Sequence, residues 1–179
     1  MKETTKRYFI ILGDKRVGKT FFVDRLNGKK VEQDHSYATG GSRQFVKNEL
    51  TNNEEWEIHD FEGEIELDEK FDLKNIQYCI IMYDITDKPS FDKIREKYFN
   101  QIKNHEHLKN IESSNIIIVG HNCIYEEKRE VKYADGKDLA DHLGFKFIEA
   151  SAEENINVAA TFETLIGKKP QSKVSCTFH

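Results

Sequence analysis

One stretch of eight residues, Gly13-Asp14-Lys15-Arg16-Val17-Gly18-Lys19-Thr20, constrains this chain more than any other. Its spacing is G-x-x-x-x-G-K-[ST], and its flanks give that spacing meaning. The apolar run Tyr8-Phe9-Ile10-Ile11-Leu12 leads in and reads as a strand. Thr20-Phe21-Phe22-Val23-Asp24-Arg25-Leu26 leads out and reads as a helix. Gly13 and Gly18 let the backbone curl until successive N–H groups face phosphate oxygens. Asp14, Lys15, Arg16 and Val17 between them, with Phe21 just inside the helix, are therefore candidate phosphate contacts. The helix adds its positive N-terminal end. Lys19 brings a full charge to the β- and γ-phosphates, and the Thr20 hydroxyl is a hard oxygen ligand suited to Mg²⁺. The motif implies a site for a nucleoside di- or triphosphate.

Strand and helix periodicities alternate along the rest of the chain. Gln44 to Thr51 and Glu55 to His59 flank Asn52-Asn53 and read as a hairpin. Tyr78 to Tyr83 and Ile116 to Val119 are continuous apolar runs, as expected of strands covered on both faces. Phe145 to Glu149 reads as a shorter strand. A helix is expected from Pro89 to about His107, with Phe91, Ile94, Tyr98 and Ile102 at three- and four-residue steps. Others are expected from Asp135 to Leu143 and from Asn157 to Ile166. Asp60 to Lys74 is acidic and weakly patterned, and reads as loop with a poor helix. The alternation predicts an α/β fold, a largely parallel sheet with helices on both faces and a ligand at the carboxyl ends of its strands.

The chain has 179 residues, a length that suits one domain. We place that domain at 1–167, with 168–179 as a flexible C-terminal tail. Charged residues make up 33% and the net charge is −5, which argues against nucleic acid as a partner. No apolar run reaches the length of a membrane span, and Met1 to Lys6 leads into a strand and not into a secretory signal. Cys79, Cys123 and Cys176 form neither a closed disulfide framework nor a metal-ligand spacing, so a reducing, cytoplasmic setting fits best.

The predicted strand ends supply further candidates. Asp60-Phe61-Glu62-Gly63 is a D-x-x-G: Asp60 can hold Mg²⁺ through water, and Gly63 can offer an unhindered N–H to a γ-phosphate. From Tyr8 to about Ile166 the sequence resembles a small GTPase of the Ras superfamily, most closely its Rab branch. Besides the phosphate loop, the resemblance rests on Tyr83-Asp84-Ile85-Thr86-Asp87-Lys88-Pro89-Ser90-Phe91, on Glu126-Glu127-Lys128-Arg129-Glu130-Val131 and on Glu149-Ala150-Ser151-Ala152. It implies a three-layer P-loop NTPase G domain with a mostly parallel six-stranded sheet. It also implies a switch between GDP and GTP with Mg²⁺. Effectors, exchange factors and GTPase-activating proteins would bind its switch regions, on the cytosolic face of an endomembrane.

Departures from the family pattern are as informative as the matches. Relatives read guanine with N-K-x-D after the fifth strand; here the aligned residues are His121-Asn122-Cys123-Ile124. Ile124 accepts no hydrogen bond, so guanine preference should fall by about one to three orders of magnitude, unless Asn122 supplies a carbonyl. The S-A-K loop has become Ser151-Ala152-Glu153, whose backbone still suits the base while Glu153 adds a negative charge. In switch I the Mg²⁺-completing Thr is best matched by Thr39, with Ser36 and Ser42 as alternatives. The stacking aromatic is missing, with Val31 nearest by spacing, and His35 reads as a loop residue. The water-orienting Gln is replaced by Glu64, a carboxylate that is repelled by a γ-phosphate and cannot donate while ionised. Lys19 and Glu64 are the candidate catalytic residues, with hydrolysis expected to be slow. Lys15 either obstructs an incoming arginine or stabilises charge itself.

The C-terminal residues Cys176-Thr177-Phe178-His179 resemble a C-a-a-X prenylation signal, but Thr177 is not aliphatic and His179 is an unusual final residue. Lipidated and unlipidated tails both fit. Two functional readings stand side by side: an atypical Rab-like GTPase in vesicle trafficking or signalling, and a pseudo-GTPase that serves as an interaction module. A P-loop kinase or ATPase would need a phosphate lid of arginines that the chain lacks.

Overall fold

The computed structural model describes residues 6–30, 42–47, 51, 54–61 and 73–170. Six strands form one sheet: β1 (Lys6–Gly13), β2 (Ser42–Val46), β3 (Glu55–Asp60), β4 (Tyr78–Asp84), β5 (Ile116–His121) and β6 (Lys146–Ala150). Their order is β2-β3-β1-β4-β5-β6. Only the β2–β3 pair is antiparallel, as expected of the hairpin, with Ser42 opposite Asp60 and Val46 opposite Trp56. The strands from β3 to β6 pair in parallel through β1.

The apolar runs of β1, β4 and β5 feed two cores, one on each face of the sheet. Phe9 and Ile11 of β1, Ile80 and Met82 of β4, and Ile117 and Val119 of β5 pack on one side. There they meet Phe22, Val23 and Leu26 of α1 (Lys19–Leu26) and Val158, Phe162 and Leu165 of α5 (Val158–Leu165). Ile10, Leu12, Cys79, Ile81, Tyr83, Ile116 and Ile118 pack on the other. That side is covered by Ile94, Tyr98, Ile102 and, from α4 (Tyr133–Leu143), Ala140. Successive residues of a strand point to opposite faces, so an unbroken apolar run is what a doubly covered strand requires. The result is the three-layer arrangement expected of a G domain.

The helix expected from Pro89 to about His107 is built differently. It runs as α2 (Lys88–Lys93), a π-helical turn (Ile94–Tyr98) and α3 (Phe99–Asn104). Ile94, Tyr98 and Ile102 face the sheet at four-residue steps, and such steps drift about 40° each around a regular α-helix. A widened turn absorbs that drift and keeps all three on the core. The helix stops at Asn104 because His105 turns extended (ψ 135°) and its Nδ1 accepts the N–H groups of His107 and Leu108. Helix α4 begins at Tyr133, two residues before the expected Asp135, whose carboxylate accepts the Lys132 N–H at 3.3 Å and caps the first turn. Of the stretch expected to be loop with a poor helix, Leu73–Asn75 forms a 3₁₀ turn.

One ion pair fixes the connection that leaves the site. Arg129 donates from Nη1 to Glu149 Oε1 at 2.6 Å and from Nη2 to Oε2 at 3.0 Å, and Nη1 also reaches the Val131 carbonyl. Only 2% of the Glu149 side chain is exposed, so the carboxylate depends on this guanidinium for much of its solvation. Arg129→Ala should lower unfolding stability by about 3–5 kcal/mol in urea titrations, because it removes the bidentate partner of a buried carboxylate. A loss under about 1 kcal/mol would show that the pair is replaceable by water.

Candidate functional site

Five strands end at one edge and bring the site together. Gly13 of β1 lies beside Met82 of β4, Ile11 beside Asp60 of β3, Asp84 of β4 beside His121 of β5, and His121 beside Ala150 of β6. The phosphate loop emerges in the middle of this edge. A side chain at Gly13 would place its Cβ 2.5 Å from the Met82 carbonyl oxygen, so the backbone must approach β4 bare. Gly18 has φ +91°, and a Cβ there would fall 2.5 Å from His121 Cε1. Arg16 also takes a left-handed conformation, φ 65°, at a position where glycine would be more relaxed.

The loop is shaped to hold an anion. Gly18 is the N-cap of α1 and provides no side-chain cap, so the first turn keeps donors for a ligand. Lys19 is buried, and its Nζ donates to the Gly13 carbonyl at 3.1 Å and the Asp14 carbonyl at 2.8 Å. The ammonium is thereby laid across the loop. Lys15, Arg16 and Thr20 are exposed, while Val17 is buried and Phe21 packs its ring on the core. Thr20 Oγ1 donates to Asp60 Oδ2 at 2.8 Å. This bond places a hard hydroxyl oxygen beside a carboxylate that could hold Mg²⁺ through water.

Asp14 is turned away from the ligand side and pairs with Lys93 of α2. Partial burial works against its ionisation, but the Lys93 hydrogen bond, the Lys15 N–H and the charges of Lys93 and Lys97 outweigh it and hold the carboxyl below its usual range. Nothing in the sequence marked Lys93 as a member of the site.

At the base end, His121 takes a structural post. It is buried, it packs against Gly18, and its Nε2 accepts the Ala152 N–H at 3.0 Å. The imidazole therefore ties the phosphate loop to the Ser151-Ala152-Glu153 loop. Burial lowers its pKa to about 4, so it is neutral, with Nδ1 carrying the proton toward the Val17 backbone. Asn122, at φ 65°, donates its amide to Asp84 Oδ2 at 2.7 Å. Asp84 Oδ1 accepts from the N–H and hydroxyl of Thr86. The Asn122 amide nitrogen thus braces the turn against β4, and its side-chain carbonyl oxygen keeps its acceptor capacity. Ile124 is half-buried on the same turn, and Tyr125 donates its hydroxyl to Glu153. Arg25, at the end of α1, donates to the carbonyls of Ala152 at 2.7 Å and Glu153 at 2.6 Å. Ser151 is buried.

The structure thus gathers Gly13 through Phe21, Asp60, His121, Asn122, Ser151, Ala152 and Glu153 at one sheet edge. Thr39, Gly63 and Glu64 lie outside the described residues, as do Val31, His35, Ser36 and Cys176. Ser42 is placed in β2 opposite Asp60 by its backbone alone. Among the described residues, no helix is long and apolar enough to cross a membrane.

The buried imidazole makes stability depend on pH. His121 titrates near 4 when folded and near the ordinary 6.5 when unfolded, so the unfolded chain binds the extra proton first. Its contribution is whole above about pH 6.5 and is lost as pH falls toward 4, at up to about 1.4 kcal/mol per unit. Replacing His121 with Asn should flatten the melting temperature against pH across that window. An unchanged slope would place the acid sensitivity elsewhere.

A profile of the Ras family matches residues 8–171. Human Ras-related protein Rab-3A is 44% identical over 87 residues, which cover 49% of this chain and 37% of that protein. GTP-binding protein ypt2 of Schizosaccharomyces pombe is 39% identical over 97 residues, covering 53% and 45% respectively. Ras-related protein Rab-3 of Caenorhabditis elegans is 41% identical over 87 residues. The matched region is under half of the length of each of these relatives. With the profile spanning nearly all of it and the sheet order fitting, the chain belongs to the Ras family and is most similar to its Rab members.

Proposed function

We propose that the chain is a Rab-like small GTPase, a GDP/GTP-dependent switch acting in vesicle trafficking or signalling. The observation that carries this is the pairing of Thr20 with Asp60 at 2.8 Å beside a loop spanned by the Lys19 ammonium. Each residue then has a task. Backbone N–H groups of the loop hold the phosphates, Lys19 offsets their charge, and Thr20 and Asp60 hold Mg²⁺, with Thr39 completing the switch I ligands. A Mg²⁺ held by these residues would supply charge neutralisation for phosphoryl transfer. Gly63 contributes an N–H to the γ-phosphate.

Lys15 and Arg16 add exposed positive charge where the phosphates would lie, in a chain whose net charge is −5. Effectors, exchange factors and GTPase-activating proteins would engage the switch regions. Cys176 would supply peripheral attachment to a cytosolic membrane face if it is lipidated. Guanine specificity is weakened, because Ile124 offers the base no acceptor and Asn122, braced on Asp84 through its amide nitrogen, has only a neutral carbonyl to offer. The same two residues favour a second reading, an interaction module that does not cycle nucleotide. Chromatography of whatever nucleotide copurifies with the protein separates the two.

Lys19→Ala removes the ammonium from the loop and should weaken Mg²⁺–GDP binding at least about a hundredfold, the scale of a lost charge-assisted contact and its companions. It should also abolish the nucleotide-dependent rise in melting temperature. Full binding by this variant would sink the switch reading. For turnover, Glu64 keeps an acceptor for the attacking water but has no donor for the γ-phosphate. Losing one preorganised donor costs about 10²–10³ in rate. Glu64→Gln should therefore speed single-turnover GTP hydrolysis by about tenfold or more, followed as phosphate release from preloaded protein. A slower variant would make Glu64 a working catalytic residue.

A further inference from the structure

The base end of the site poses a chemical problem that the family's own device does not solve here. Ile124 has no acceptor, and the Asn122 amide braces Asp84. Yet a carboxylate does stand at this turn, supplied from the opposite loop. Glu153 receives the Tyr125 hydroxyl, and Tyr125 is the residue next to Ile124, so this carboxylate is drawn to the turn, whose other one, on Asp84, is taken up by Asn122 and Thr86.

The position of that carboxylate is not left to chance. Arg25 holds the backbone of its loop at two successive carbonyls, Ala152 and Glu153. His121 holds the same loop from the other side through the Ala152 N–H. The Glu153 carbonyl is thus anchored from α1, its neighbour from β5, and its side chain from Tyr125. The contact with Glu153, aided by burial, raises the pKa of the Tyr125 phenol, which keeps it a donor at neutral pH. The hydroxyl occupies one lone pair of Oε2, and Oε1 keeps its acceptor capacity.

We propose that Glu153, steadied by Tyr125, is the base-reading acceptor of this chain and selects a purine that carries adjacent ring N–H and exocyclic amine donors. Guanine presents such a pair at N1 and N2. Hypoxanthine keeps the N1–H and lacks the amine. Adenine presents a ring acceptor at N1, which a carboxylate repels. The inference rests on the nucleotide-switch reading above. Glu153 is exposed, so solvent screening makes it a weaker reader than a buried aspartate, and only part of an ordinary guanine preference is expected. Tyr125 is a positioning residue, acting only through the carboxylate.

The test is competition of GDP, IDP and ADP against a fluorescent nucleotide, on native protein and on Glu153→Gln, Tyr125→Phe and Ile124→Asp. The native chain should bind in the order GDP, IDP, ADP. Glu153→Gln should lower the GDP-over-ADP ratio by about three- to tenfold, with inorganic pyrophosphate competing as before. Tyr125→Phe should shift the ratio the same way by less. Adding Ile124→Asp to Glu153→Gln should restore it, which shows that the variant is folded and competent. An unchanged ratio in Glu153→Gln, with nucleotide still bound, overturns this inference alone. No binding of any nucleotide by the native chain overturns it together with the switch reading.

Discussion

The site depends on a close approach of backbone on two sides of one loop. Gly13 slides under the Met82 carbonyl of β4, and Gly18 under the imidazole of His121 from β5. Neither approach tolerates a side chain, and together they fix where the first turn of α1 begins. From that point Lys19 is buried against the loop carbonyls, Thr20 falls opposite Asp60 on β3, and Arg25 comes within reach of Ala152 and Glu153. One backbone fit thus sets the positions of the candidate phosphate and metal residues and of the base-side loop. His121 is the residue through which the two ends communicate, since it touches Gly18 and the Ala152 N–H at once.

What could be read from the sequence divides along the same line. The phosphate loop was legible because its meaning is local: strand, curl, helix, a lysine and one hard hydroxyl ligand in a single short stretch. A largely parallel sheet followed from the alternation of strand and helix patterns and from the apolar runs at Tyr78 to Tyr83 and Ile116 to Val119, and the family resemblance implied its six strands. Contacts across long separations were not legible. Asp14 meets Lys93 across 79 positions, and Arg25 meets Glu153 across 128. A lysine in an amphipathic helix and an arginine at a helix end have many ordinary reasons to be where they are. The π-turn escaped as well, because four-residue steps at Ile94, Tyr98 and Ile102 look helical until their angular drift is counted.

The base end illustrates a different limit. From the alignment alone, His121 and Asn122 read as eroded versions of N and K in a guanine-reading motif. In three dimensions both have work. His121 substitutes a neutral imidazole for an amide as a link between loops, and Asn122 secures the turn by donating to Asp84. The scaffold of the turn survives even though its reading residue, at Ile124, does not. Replacing the scaffold residues with others that hold the same backbone is a different change from losing the loop. Only geometry distinguishes them.

That separation has a thermodynamic consequence. Phosphate contacts give affinity to any nucleotide, whereas base contacts give only the difference between nucleotides. In the proposed reading, Gly13 to Thr20 and Asp60 serve the phosphate end, and the departures at Ile124, Tyr125 and Glu153 lie at the base end. A weak reader therefore relaxes selectivity without removing occupancy. In a cell, occupancy then follows the relative concentrations of purine nucleotides more closely than in relatives with an aspartate. Under the proposed function, slow turnover and loose base reading would act in one direction, since both would make the bound state depend more on supply and less on hydrolysis. A switch of that kind would report on its nucleotide pool or on an exchange partner, and its own chemistry would be the smaller part of its timing.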